Sequence, residues 1–285
     1  MADRSAVSTI LGYFYQFDRS ILSILGLVLD TDEIAIECIE DIDIRTATET
    51  TAVQCKYYER SEYNHSVIKP AIMFMLAHFK EGLEAGRTPI QYQLSGHFSG
   101  GQDKLDLPLD IEFLKTNFLT ATSKKDGTTA KHEELDVNDA ELELFRQALS
   151  IDINAEKFED QFKNIKVMLA SHFRCSPFMA EFFYYNSALR VIKELSIDND
   201  PNRRVISKGN FLARIDTSSV IFDEWFVEKR GKARYFAELR STYFSSSLNV
   251  SQAERLFLIH IAAGTYNSTA TKALLKVISQ KYSKL

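Results

Sequence analysis

The chain has 285 residues, 45% of them hydrophobic, with 20 Phe and 12 Tyr against only 11 Gly and 5 Pro. That length supports one large domain or two modest ones with ample core, and the composition excludes collagen-like, low-complexity and disordered classes. A formal net charge of −5 excludes a surface coated in basic groups for nonspecific nucleic-acid binding.

In chain order, residues 7–29 carry Tyr13, Phe17, Ile21, Ile24, Leu25 and Val28 at helical spacing and predict a long first helix. The apolar run 21–29 is too short to span a bilayer, and with Asp18 and Arg19 before it and no small-residue cleavage site it does not read as a signal peptide. A β-hairpin is expected over 33–58, where EIAIECIEDIDI and AVQCKYY flank the polar break RTATETT. Side chains alternate along a strand. Glu37, Asp41 and Asp43 therefore share one side of the first strand, opposite Ile34, Ile36 and Cys38. Gln54 and Lys56 share one side of the second, opposite Val53 and Cys55.

Ser66 is the expected N-cap of a helix through MFMLAHFKEGL that ends near Gly86. Pro89 introduces the alternating segment IQYQLSGHF as a third strand, followed by a Ser99-Gly100-Gly101 turn and a 124–131 loop with Asp126-Gly127. Helices are expected at 140–149, 155–173 and 177–195, the last rich in aromatics at Phe178, Phe182, Phe183 and Tyr184. After a break at 198–201 come VISKGNFLARI and helices near 218–229, 233–244, 251–263 and 269–281, with Ser251 and Glu254 forming a capping box. The expected boundary is the loop at 122–137, dividing an α/β domain (1–121) from a mainly helical one (138–285).

Charge is unevenly spread. Residues 133–160 hold ten acidic and two basic groups, whereas 203–240 hold nine basic and five acidic. Within that basic zone Lys229, Arg230 and Lys232 form the cluster best suited to phosphate contacts on duplex DNA. Ion pairs with Asp223, Glu224, Glu228 and Glu238 are the simpler reading for most of the others. The aromatics at 178–185 are of a type that stacks on bases, but their helical spacing suits packing. Cys38, Cys55 and Cys175 form no CxxC pair and read as small buried hydrophobes, in keeping with a reducing cytoplasm. The six histidines form no HxxxH or HxH motif. With no GxxxxGK[ST], GxGxxG or GxSxG motif, the chain does not read as an ATPase, a dinucleotide enzyme or a serine hydrolase.

The chemistry concentrates in the hairpin. Buried strands do not gather carboxylates, an amide and an ammonium without compensation, because unpaired buried charge is costly. A divalent cation beside a phosphate supplies that compensation. Mg²⁺ takes hard oxygen ligands, usually one or two carboxylates with water and phosphate. Asp41 is the leading ligand, Gln54 offers its amide oxygen, and Glu37 and Asp43 are further ligands or outer-shell groups. Lys56 can contact the attacking water or the phosphate. The competing reading is a solvated sheet face, on which Asp41 and Lys56 form an ordinary cross-strand pair.

An acidic residue on one strand followed by Gln54-Cys55-Lys56 on the next resembles the PD-(D/E)XK nuclease superfamily, with glutamine in place of the second carboxylate. This QxK variant also occurs in active branches of that superfamily. More narrowly, GYFYQFDRSIL, ECIEDIDI and VQCKYYE are similar to the nuclease domain of bacterial anti-phage effectors. These are the duplex-DNA endonucleases of cyclic-oligonucleotide defence and Lamassu-type effectors. The likeness covers residues 1–100 and includes the Gly12-x-x-Tyr15-Gln16 helix.

The resemblance implies a restriction-endonuclease-like α/β core, a short mixed sheet flanked by helices, followed by a mainly helical region that docks DNA, self-assembles or binds a partner. It implies a cytoplasmic Mg²⁺- or Mn²⁺-dependent endodeoxyribonuclease in anti-phage defence, with Asp41, Gln54, Lys56, Glu37 and Gln16 at its site. Gln16 would touch metal-bound water or phosphate, with Tyr15 beside it. Duplex DNA, a regulatory protein such as an ATPase, and further copies of the chain are the expected partners; a membrane is not. The alternative is a catalytically inactive nuclease-like scaffold in a multiprotein defence complex. A third reading is a nuclease directed at RNA.

Overall fold

Helix α1 (Val7–Gly26) forms where the apolar stripe of the sequence places it, with Tyr15, Ile21, Ile24 and Leu25 buried on one side. This is a computed structural model, and it describes residues 7–123 and 127–217, together with Gly231 and Arg234. The helices expected beyond residue 217, and the Ser251–Glu254 cap, lie outside the described residues.

After α1 the chain makes three strands where two were expected. They are β1 (Glu33–Ile36), β2 (Ile42–Arg45) and β3 (Thr50–Tyr58). All are antiparallel neighbours, with Ile36 opposite Ile42 and Ile42 opposite Val53. The continuous first strand over 33–43 is therefore corrected to a tight hairpin whose turn is residues 37–41. Helix α2 (His65–Glu84) follows, capped by Asn64 rather than Ser66, the Asn64 side chain accepting from the Ser66 N–H at 2.9 Å. The α2 crossover brings β4 (Gln91–Phe98) in parallel to β3, with Gln54 beside Leu94 and Lys56 beside Gly96.

A two-stranded ribbon, β5 (Thr120–Ser123) with β6 (Gly127–Ala130), occupies ground expected to be loop. Helix α3 (Asp139–Ala148) starts at a capping box between Asn138 and Glu141. It leads into the unforeseen strand β7 (Leu149–Asp152), parallel to β4. Helix α4 (Phe158–Phe173) comes next. Pro177–Met179 then runs through a π-helical stretch (Ala180–Tyr185) into α5 (Asn186–Ser196). The short strand β8 (Val205–Ser207) pairs antiparallel with β1 and leads into α6 (Lys208–Ile215).

The sheet is mixed, in the order β7-β4-β3-β2-β1-β8, with helices on both faces. Ile34, Ile36, Ile42, Val53, Cys55 and Ile206 pack with buried residues of α1, α4, α5 and α6. Ala52, Tyr92, Leu94, Phe98 and Ile151 pack with α2 and α3. Each fully buried Ile, Leu or Phe side chain contributes about 1.5–3 kcal/mol, so the two layers dominate stability. After β7 the chain is mainly helical. One compact unit nevertheless spans Met1–Ile215 and a second spans Asp216–Leu285. The 122–137 loop, expected to separate two domains, falls inside the first unit because β7 and β8 form the two edges of its sheet. None of the described helices is long and apolar enough to cross a membrane. All three cysteines are free; Cys55 is buried, and Cys38 and Cys175 are half-buried.

Candidate active site

The turn between β1 and β2 builds the site. Glu37 adopts a left-handed backbone at φ 54°, and its N–H donates to the Asp41 carbonyl at 3.1 Å. Asp43, wholly buried, accepts the N–H groups of Ile39 at 3.0 Å and Glu40 at 3.2 Å. That carboxylate fastens the turn from within, in the manner of side-chain acceptors that satisfy local backbone donors. From outside, Arg204 donates to the Glu37 carbonyl at 2.6 Å and to the Asp198 carbonyl at 2.7 Å.

The turn also determines what Asp41 does. Pairing between β2 and β3 stops at Ile42–Val53, so the Cys55 N–H extends past the end of β2. Asp41 Oδ2 takes that donor at 2.6 Å and accepts the Gln54 amide as well. A buried backbone donor thus finds an acceptor that the missing strand residue would otherwise supply. The amide of Gln16, from α1, also acts on Asp41, holding its pKa down. Tyr15 anchors that part of α1: its ring stacks on Tyr57 at 4.5 Å and its hydroxyl donates to the Glu156 carbonyl at 3.0 Å.

Lys56 lies two residues beyond Gln54 on the same face of β3, next to Gly96 of β4. A Cβ at Gly96 would sit 3.6 Å from that of Lys56, so the missing side chain leaves room beside the lysine. Lys56 acts electrostatically on Asp41, Glu37 and Glu40, yet forms no ion pair among the described residues. Burial raises the pKa of Asp41, opposed by the Cys55 N–H, the Lys56 charge and the Gln54 and Gln16 amides. Glu37 is raised by partial loss of water around its carboxyl and then by the Asp41 charge, with Arg204 and Lys56 opposing.

Glu40 is the residue that sequence reasoning missed. It is only 9% exposed, and its Oε1 has no hydrogen-bond partner among the described residues. Its pKa is raised to about 8, first by burial and then by Asp41, with Lys56 opposing. Strand parity would set Glu40 with Ile34 and Ile36, away from Asp41. The turn breaks that parity, and the acidic neighbours in ECIEDIDI were the only signal in the sequence.

The structure thus joins Asp41 and Gln54 by a hydrogen bond, with Gln16, Lys56, Glu37 and Glu40 in electrostatic reach. Asp43, expected as a further ligand or an outer-shell group, has its carboxylate engaged with turn backbone and lies 3.8 Å from Arg45, so it organises the loop. Among the described residues no group of three or more His, Cys, Asp or Glu is placed to hold a metal ion. Mg²⁺ usually takes only one or two protein carboxylates, with water and phosphate completing its shell. Gln54 turns its NH₂ to Asp41, so as arranged it positions the carboxylate and directs its amide oxygen elsewhere.

Of the basic zone, Lys229, Arg230, Lys232 and Arg240 lie outside the described residues. Arg203 pairs with Asp198 at 3.5 Å, Arg214 with Glu194 at 2.8 Å, and Lys208 donates to the Leu27 carbonyl at 2.6 Å. With Arg204, these groups serve the fold. In the aromatic segment Tyr184 stacks on Phe173 at 3.9 Å, while Phe178 and Phe182 are exposed and touch each other. No protein-family model, curated protein or solved structure matches this chain.

Proposed function

We propose that this chain is a metal-dependent phosphodiesterase, an endonuclease acting on duplex DNA in bacterial anti-phage defence. The observation that carries the reading is the convergence on Asp41. An amide and a backbone N–H from β3 hold one half-buried carboxylate, Gln16 of α1 and Lys56 act on it as well, and Lys56 forms no ion pair among the described residues. The α1-β1-β2-β3-α2-β4 order around a mixed sheet supports the same reading, as does the resemblance of the QxK segment to PD-(D/E)XK nucleases.

Asp41 would hold Mg²⁺ or Mn²⁺, with Glu37 and, after rotation, the Gln54 amide oxygen as further ligands. When bound, such an ion supplies Lewis acidity at the phosphate and a more acidic water. Gln16 and Gln54 keep the carboxylate in one orientation, and the Cys55 N–H ties it to the sheet. Lys56 offers its ammonium to a phosphate oxygen or the attacking water. Control by assembly or a regulatory protein belongs to the same proposal, since an unregulated nuclease would damage its host.

One observation favours a second reading, a nuclease-like scaffold without catalysis: no three-ligand cluster exists among the described residues. Cleavage of supercoiled plasmid and linear duplex DNA with Mg²⁺ or Mn²⁺ separates the two. Under the first reading the wild type cuts, and Asp41→Ala and Lys56→Ala each lower the rate by at least about 100-fold. Cutting that survives both substitutions would sink this site. A wild type that neither cuts nor binds Mn²⁺ would leave the scaffold.

A further inference from the structure

We propose that Glu40 is a second carboxylate ligand of the divalent cation held by Asp41. The inference rests on the metal-dependent reading above and adds to it a residue outside the QxK pattern. Three observations on different atoms carry it. Glu40 is 9% exposed, and its Oε1 has no hydrogen-bond partner among the described residues. Glu40 adjoins Asp41 in the turn, and the charges of Asp41 and then Lys56 act on it. Its backbone is fastened, because the Glu40 N–H donates to Asp43 at 3.2 Å while the adjacent Ile39 N–H donates to the other Asp43 oxygen at 3.0 Å.

A buried carboxylate oxygen without a donor is unfavourable in a structural role, and a hard cation satisfies it directly. Asp41 alone is a poor ligand set, since its Oδ2 already accepts two N–H donors. With Glu40 the site has two carboxylates on adjacent residues, and water and substrate phosphate would complete the shell. Both residues belong to the turn at 37–41, where the strict alternation of an extended strand no longer applies.

The test is Mn²⁺ binding by the full chain, measured by titration calorimetry and by the EPR signal of free Mn²⁺, without nucleic acid. Wild type is compared with Glu40→Gln, Asp41→Asn and Glu37→Gln, together with the rise in Tm that Mn²⁺ causes in each. We expect Asp41→Asn to abolish binding and Glu40→Gln to weaken it at least tenfold. We expect Glu40→Gln to keep the metal-free Tm and lose most of the Mn²⁺-induced rise, a pattern that a purely structural role would not produce. Glu37→Gln removes the other carboxylate proposed above as a ligand and should weaken binding as well. If wild type binds Mn²⁺ through Asp41 and Glu40→Gln binds equally well, the Glu40 assignment is overturned while the metal reading stands. If wild type binds no Mn²⁺, both fall.

Discussion

At the scale of single residues, this protein buries several acids, and each is used differently. Asp43 is satisfied by two backbone donors and shapes a turn. Asp41 is satisfied by donors from β3 and left partly open. Asp18 of α1 is wholly buried, receives the Tyr185 hydroxyl at 2.8 Å on one oxygen and has no partner among the described residues on the other. Burial raises its pKa from 3.8 to about 7, with the Tyr185 bond opposing. The folded state therefore holds more protons than the unfolded state between those two values, and stability falls as pH rises across that window. Asp18→Asn removes the titration while keeping an acceptor for Tyr185. The stability of wild type relative to Asp18→Asn should thus drop by on the order of 4 kcal/mol from pH 4 to pH 8. Urea unfolding of both proteins at several pH values measures this, and parallel pH profiles would refute it.

At the scale of elements, the β3–β4 pair is where packing and site meet. Gly96 sits between Lys56 on one side and the Phe98 ring on the other. A Cβ there would lie 2.7 Å from Phe98 Cε2. That ring is buried and packs against Tyr58 at 5.4 Å and Tyr63 at 5.2 Å, so it has little room to retreat. Gly96→Ala should cost about 1–3 kcal/mol of stability through overpacking. Lys56, in ordinary contact distance, should stay in place. Denaturant midpoints decide the matter; an unchanged midpoint would mean that the ring shifts at no cost. The π-helical stretch at Ala180–Tyr185 plays a comparable packing part on the other face, burying Tyr184 and Tyr185 while Phe182 stays exposed.

At the scale of the whole unit, the edge strand β8 comes from the far end of the chain and borders the strand that leads into the site. Arg204, just before β8, bridges the carbonyls of Glu37 and Asp198. Arg204→Ala leaves both carbonyls without that donor and frees the outer side of the turn. A loss of about 1–2 kcal/mol is expected from the missing hydrogen bonds. If the proposed nuclease activity holds, cutting should fall roughly tenfold with it, because a looser turn places Asp41 less well. Thermal melts and plasmid cleavage on the same sample test both parts, and an unaltered Tm would show that the bridge contributes nothing.

Local pattern determined much of this protein. The stripe through Tyr15 and Ile24, the strand pair at 50–58 and 91–98, and the helices between 139 and 196 are legible because periodicities of 3.6 and 2 hold within one element. The shared face of Gln54 and Lys56 was legible for the same reason, since β3 is unbroken. Tertiary structure alone decided the turn at 37–41, and with it the burial of Glu40, the duty of Asp43 and the hold of Cys55 on Asp41. Parity is a local rule that fails where the chain reverses. This reversal is stabilised by Arg204, which lies 167 residues from Glu37 in sequence. Strands β7 and β8 were hidden for a related reason: at four and three residues they are too short to show a period, and the sheet edges to which they bond define them.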